Sequence, residues 1–279
     1  MKQFITILKN PNQSEIEHAI EFNLYEFFRS IVHIDLEHIQ YEETEEFSRF
    51  STGIPFYFFN GVIDSHISSE NAIKKIKDNI TYFEKRQVPF LWVLGPSSTP
   101  KNMGELLIKN GFILDKVLGM AYNLKILDTE RELLNKVEII KIENMETLKE
   151  WNDIILTGFA FPKEFLSDFF YNAFSFILLN DRASASAFLA YYDGNPVASS
   201  LVLYKAGVAG IHLVTTLEEA HGKGIGTAIT LAPLNEAKKL GYETAILHST
   251  EMGLNMYNRM GFKECCTIEL FIWQPGSKE

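Results

Sequence analysis

The fold turns on one stretch, Ile211-His-Leu-Val-Thr-Thr-Leu-Glu-Glu-Ala-His221-Gly-Lys-Gly-Ile-Gly226-Thr227. Residues 208–216 are apolar and β-branched, which predicts a strand. Gly222, Gly224 and Gly226 then mark a turn, and a helix is predicted to open at Gly222 or soon after and to run to Leu240, stopped by Gly241 as a C-terminal cap. Glycine lets a backbone approach a ligand closely and adopt conformations closed to other residues. The first N–H groups of a helix lack intrahelical partners, and the helix dipole adds positive potential there. Strand, glycine turn and helix start together make a site for a phosphate or pyrophosphate. No Gly-Lys-Ser/Thr closes the pattern at P-loop spacing. The hairpins predicted upstream do not suit the parallel unit of a dinucleotide-binding fold. A glycine-rich helix start with no ligand is the competing reading.

Working outward, residues 137–142 predict a strand, 145–157 a helix, and 161–180 an aromatic-rich helical region. Strands follow over 184–192, 197–204 and 208–216, the first two joined by Asp193-Gly194-Asn195, a tight-hairpin signal. Beyond the long helix come a strand (244–248), a helix (252–260), Gly261 and a last strand (262–273). In the first half, helices are predicted over 14–34, 69–86 and 101–110, with strands at 89–94 and from Phe112 to about residue 124. Residues 54–64 are aromatic-rich, and Asn60-Gly61 predicts a hairpin turn there. The acidic run Glu42, Glu43, Glu45 and Glu46 predicts a solvated loop or helix face. The whole reads as a mixed α/β arrangement, with antiparallel hairpins and crossover helices.

Two stretches share one plan of strand, polar loop, short helix, Gly-Phe and strand. One runs from Phe90 through Gly111-Phe112, the other from Ala245 through Gly261-Phe262. This predicts a duplicated domain, with residues 1–126 as one copy, 127–135 as a linker and 136–279 as the other. The copies differ where chemistry would sit. Tyr257 stands four residues before Gly261, Leu107 stands four before Gly111, and the first copy has no glycine cluster.

The stretch from Ile211 to Gly226 resembles motif A of the GNAT superfamily of acyl-CoA-dependent N-acyltransferases, and Met256-Tyr257-Asn-Arg-Met-Gly261-Phe262 resembles its motif B. The resemblance covers residues 137–273, and residues 1–126 look like the degenerate first domain of a tandem GNAT protein. It implies two GNAT-like domains, each a mixed, largely antiparallel sheet flanked by helices. It also implies a soluble N-acetyltransferase that uses acetyl-CoA and passes the acetyl group to a primary amine by direct attack in a ternary complex. By the same resemblance, the backbone of Val214, Thr215 and Thr216 pairs with the pantetheine arm. The turn of Gly222, Lys223, Gly224, Ile225, Gly226 and Thr227 receives the pyrophosphate. Tyr257 protonates the departing thiolate, a general-acid role suited to a phenol. The sequence departs from the motifs at three places: His221 replaces Gln or Arg, Glu218 replaces proline, and Thr250 replaces Asn, so that Ser249 or Thr250 would serve as the hydrogen-bonding partner there. Those departures motivate the alternative of a non-catalytic acyl-CoA-binding or scaffold protein with a decayed acceptor site. A third reading is an interaction module recruiting a partner through its first half. For the general base, Glu218, Glu219, His212 and His248 are nearest by sequence, and none is assigned. Phe159, Phe161, Phe165, Phe169, Phe170 and Tyr171 stand where the family builds its acceptor pocket wall.

Composition agrees with this class. The 279 residues carry a formal net charge of −10, divided equally by a cut after residue 134. Neither half has the basic footprint of a nucleic-acid binder. The only two cysteines, Cys265 and Cys266, are neighbours, so no disulfide framework or zinc-ligand spacing can be built, and a reducing compartment follows. No metal is expected. The first 13 residues do not read as a secretory signal, and no apolar run reaches the ~20 residues of a membrane span. The expectation is a cytoplasmic protein.

Overall fold

The computed structural model describes residues 6–32, 39–128, 136–180 and 184–276. The first half contains α1 (Gln13–Val32), β1 (Gln40–Glu43), β2 (Ser48–Ser51), β3 (Asn60–Ile63), α2 (Ala72–Glu84), β4 (Phe90–Leu94), α3 (Met103–Lys109) and β5 (Ile113–Asn123). The second contains β6 (Val137–Lys141), α4 (Met145–Gly158), α5 (Lys163–Ser175), β7 (Ala185–Tyr192), β8 (Asn195–Lys205) and β9 (Val208–Thr216). It ends with α6 (Ile225–Lys239), β10 (Thr244–Ser249), α7 (Glu251–Met260) and β11 (Lys263–Trp273). The mixed α/β class is as expected. The helix expected at 14–34 is seen to Val32, and residues 129–135 of the expected linker lie outside the described residues.

The chain forms two compact units. The first comprises Met1–Phe27 and Gly119–Cys265, the second Phe28–Leu118 and Cys266–Glu279. Each is discontinuous in sequence, because α1, β5 and β11 all contribute to both.

In the first unit the strand order is β5-β10-β9-β8-β7-β6. β6, β7, β8 and β9 form an antiparallel meander, and β10 joins β9 in parallel. Both tight turns have the geometry that two-residue hairpins need. Asp193 and Gly194 have φ +49° and +79°, and Ala206 and Gly207 have +56° and +72°. The long helix α6 carries Pro233 in its interior. Proline has no N–H, so the Ile229 carbonyl one turn earlier loses its helical donor. The hydroxyl of Ser200, fully buried on β8, supplies a replacement at 2.9 Å. That bond ties α6 to the middle of the sheet.

In the second unit the order is β1-β2-β3-β4-β11. Its core is aromatic, with Phe83 stacked on Phe90 at 4.1 Å and Trp92, Phe271 and Trp273 packed around them. β3, α2 and β4 repeat the plan of β9, α6 and β10, with a parallel strand pair on either side of a crossover helix. The repeat extends to hydrogen bonds. Phe112 N–H donates to the Leu107 carbonyl and Phe262 N–H to the Tyr257 carbonyl, each beyond a glycine of positive φ that ends a helix.

One local expectation fails here, and another holds in part. Asn60-Gly61 is no hairpin turn but the start of β3. Asn60 is fully buried, and its amide donates to the Ile54, Phe56 and Pro89 carbonyls. A Cβ on Gly61 would lie 2.9 Å from both the Leu91 carbonyl and the Phe50 ring, so the glycine serves strand packing. The acidic run is solvated as expected, with Glu45 and Glu46 in a loop, but Glu42 and Glu43 end β1; Glu42 pairs with Arg49 and Glu46 with Lys75. No helix among the described residues is long and apolar enough to cross a membrane.

Candidate functional site

The first unit opens where β9 and β10 part. Their parallel pairing runs from Ala209/Ala245 to Ile211/Leu247 and stops, while β9 continues to Thr216. On its other edge β9 pairs with β8, but the register jumps from Leu201/His212 to Ser199/Thr215. Two residues, Leu213 and Val214, therefore oppose one, Ser200, which is a β-bulge. Leu213 takes φ +49°, and its carbonyl accepts from the Ser199 hydroxyl at 3.0 Å. The bulge leaves Val214 without a register partner on β8, beyond the point where β10 has turned away. The result is a fork between β9 and β10, beyond which that edge of β9 has no paired strand among the described residues.

Side chains alternate along that edge. Thr215 packs on the last residue of α4, where a Cβ on Gly158 would lie 2.2 Å from its hydroxyl oxygen. Thr216 faces Gly226 in the first turn of α6. Its carbonyl accepts from His221 Nε2 at 2.8 Å, which folds the loop back on itself. Glu218 and Glu219 lie exposed in the intervening 3-10 turn. Gly222 and Gly224 then take φ +73° and +78°, and space is open where a Cβ on Gly222 would be. The helix starts at Ile225, soon after Gly222, because Gly224 occupies the left-handed cap position. Ile225 is buried as the helix's anchor, and Thr227 is half-buried. Lys223 donates its ammonium to the Glu219 carbonyl and lies 5.1 Å from the Tyr192 ring, keeping a positive charge beside the turn.

Tyr257 arrives on α7. A Cβ on Gly226 would lie 3.1 Å from Met256 Sδ, so a glycine in the first turn of α6 is what lets α7 come close. Gly253, which sequence reading did not single out, gives the Tyr257 ring its space, since a Cβ there would lie 2.9 Å from it. The ring packs edge-on against Phe262, centroids 5.6 Å apart. Among the described residues its hydroxyl has no hydrogen-bond partner, and burial raises its pKa far above the usual phenol value. The phenol therefore stays protonated at neutral pH. Ser249, at the end of β10, is buried and donates to the Thr250 carbonyl. Thr250 is exposed at the start of α7.

The sequence-marked histidines meet at the crotch of the fork. His212 and His248 are the first residues beyond the last β9/β10 pair, and their rings stack with centroids 5.9 Å apart. Of the aromatic group, Phe169 and Phe170 are core, Tyr171 is half-buried, and Phe159 and Phe165 are exposed, with Phe159 stacked on Phe161 at 5.3 Å.

Residues 146–262 match the model of the acetyltransferase (GNAT) family. Solved structures similar to the chain include a GCN5-related N-acetyltransferase from Kribbella flavida, at 16% identity and TM-score 0.67, covering 92% of this chain and 96% of that one. Another, from Sphaerobacter thermophilus, aligns at 14% identity and TM-score 0.64, over 96% and 97%. A tandem GNAT protein from the clavulanic acid biosynthesis pathway aligns at 10% identity and TM-score 0.61, over 98% and 99%. At these identities the likeness is one of fold, and it spans both halves. No curated protein matches the chain significantly.

Proposed function

We propose that the chain, whose residues 146–262 match the acetyltransferase (GNAT) family, is an N-acetyltransferase using acetyl-CoA and a primary amine. The observation that carries this reading is the fork. β9 offers an unpaired edge at Val214, Thr215 and Thr216 that leads directly to the glycine turn, with Tyr257 on the adjoining helix. An extended pantetheine arm suits such an edge as an added strand, and the turn suits its pyrophosphate. The open space at Gly222, the left-handed Gly224 and the free first amides of α6 fit an anion better than a side chain.

Bound acetyl-CoA supplies an acetyl group activated by a thiolate leaving group. The chain's residues do the rest. Val214, the residue the bulge leaves without a register partner, offers its N–H to polarise the thioester carbonyl. The amides of the turn, from Gly222 to Thr227, hold the pyrophosphate, and Lys223 adds charge beside them. Tyr257 donates its phenolic proton to the departing sulfur. The amine attacks directly, without an acyl-enzyme. The copy of this plan within residues 1–126 has Leu107 in place of the tyrosine and no glycine turn, so the chemistry belongs to the first unit. Thiol release measured over a broad amine panel tests the proposal. Turnover with at least one amine is expected, and acetyl-CoA binding with no turnover on any of them would favour a non-catalytic binder.

A further inference from the structure

The second unit repeats the fork of the first, but there the gap is filled. In the first unit the parallel pairing of β9 with β10 ends at Ile211/Leu247, and in the second that of β3 with β4 ends at Val62/Trp92. Two residues beyond each end the backbone takes a positive φ, +49° at Leu213 and +58° at Asp64. Ser65 and Ile67 therefore hold the places of Val214 and Thr216. Successive N–H groups of an extended chain point to opposite edges. Leu217 N–H donates to the Val197 carbonyl and His66 N–H to the Glu46 carbonyl, so Thr216 and Ile67 each turn the other way, into the fork.

In the second unit that edge has a partner. Thr99 N–H donates to the Ser65 carbonyl at 2.9 Å, and Ile67 N–H donates to the Thr99 carbonyl at 3.2 Å. Thr99 thus lies beside His66 as a residue of a parallel strand would. The extra chain comes from the strand-to-helix connection. Only Thr250 stands between β10 and α7, whereas residues 95–102 stand between β4 and α3. That longer segment is tied to itself: Gly95 N–H donates to the Ser98 hydroxyl at 3.0 Å, and the Lys101 ammonium to the Pro96 carbonyl at 2.8 Å. On the receiving side, Trp92 Nε1 donates to the Ser65 hydroxyl at 2.9 Å, with both residues fully buried, and Ile67 belongs to the core. Backbone groups of buried residues need partners, and Thr99 supplies them.

We infer that the loop 95–100 is a built-in occupant of the second unit's groove, lying where a pantetheine arm would lie, so that the chain takes acyl-CoA at the first unit only. This rests on the transferase reading above, which seats the arm on the edge from Val214 to Thr216. Loss of the glycine turn would deprive a CoA molecule of its pyrophosphate contacts alone. The filled groove refuses the arm as well, because entry would break two backbone hydrogen bonds and strip a buried strand edge of its partner. The second unit is complete without a ligand, and the fork of the first is not.

Amide NMR of the full-length protein tests this in two steps. Without ligand, the Ile67 and Thr99 amides are expected to exchange with solvent on the order of 10²-fold more slowly than an open chain, or slower still. Exchange of either at the open-chain rate would overturn the inference, whatever the protein's activity. Pantetheine is then added, an arm without a pyrophosphate, so that the missing glycine turn plays no part. The Val214 and Thr216 signals are expected to shift while those of Ile67 and Thr99 stay in place. Shifts at Ile67 and Thr99 over the same concentration range would overturn the inference alone. Val214 and Thr216 signals that do not move would remove the arm seat of the transferase reading, and this inference with it. Calorimetry with acetyl-CoA is expected to give one site per chain, and two sites would likewise overturn it.

Discussion

The hydrogen bond from Ser200 to the Ile229 carbonyl exists because Pro233 takes away that carbonyl's helical donor, and this makes a quantitative test. Ser200→Ala removes a hydroxyl that is fully buried and leaves the carbonyl without a partner. An orphaned buried acceptor costs about 1–3 kcal/mol, and the serine-to-alanine change opens little space, so the loss falls in that range. Pro233→Ala restores an N–H one turn beyond Ile229, giving the carbonyl a second donor. In that background, Ser200→Ala removes only one of two donors, at a cost of about 0.5–1.5 kcal/mol. The double-mutant cycle should thus show a coupling of about 1 kcal/mol. Urea unfolding followed by circular dichroism reads it, provided the slope with denaturant stays constant across the four proteins. Equal costs of Ser200→Ala in both backgrounds would refute the explanation of why a serine stands on β8 at this point.

Other expectations concern the fork and the turn. Tyr257→Phe should lower kcat by about 10²–10⁴-fold with acetyl-CoA binding nearly intact; calorimetry beside steady-state kinetics checks both. Gly210→Ala should destabilise the protein by about 1–3 kcal/mol through the clash with Asn23, read as a lower urea midpoint. Gly224→Ala forces a side chain into the left-handed region, at about 1–2 kcal/mol, and should weaken acetyl-CoA binding in a calorimetric titration. His212 and His248 are neutral in the fold because their pKa values are lowered, so below about pH 6.5 the unfolded chain binds protons that the folded chain does not. Stability should therefore fall as pH drops from 6.5 toward 4, by at most about 1.4 kcal/mol per pH unit for each histidine, and His248→Gln should flatten the slope.

Much of this was legible in residue order. The strands around Asp193-Gly194 and the helix ending at Gly261 follow from local turn and cap chemistry, which a short window contains. The left-handed glycines before α6 and the place of Tyr257 on a short helix ahead of Gly261 follow from the same local chemistry. The fork was not, because its cause is a register jump opposite Ser200, and Leu213 has no composition that announces a positive φ. Asn60-Gly61 misled because a turn dipeptide can also serve buried strand packing, and the Leu91 carbonyl that decides the matter lies thirty residues on. The place of α1 was equally hidden. Its apolar periodicity predicts a helix, but the contact of Asn23 with Gly210 joins residues far apart in the chain, and only that contact gives the glycine its purpose. His212 and His248, unassigned base candidates in the sequence, are brought together by the end of the β9/β10 pairing.

The most direct test of the central claim is mass spectrometry of an amine panel incubated with acetyl-CoA and the full-length protein, with free CoA counted in the same samples. The account predicts at least one amine carrying a single acetyl group, in equal amount to the CoA released and lost in Tyr257→Phe. A panel in which no amine gains an acetyl group, or in which Tyr257→Phe acetylates as fast as the wild type, would contradict it.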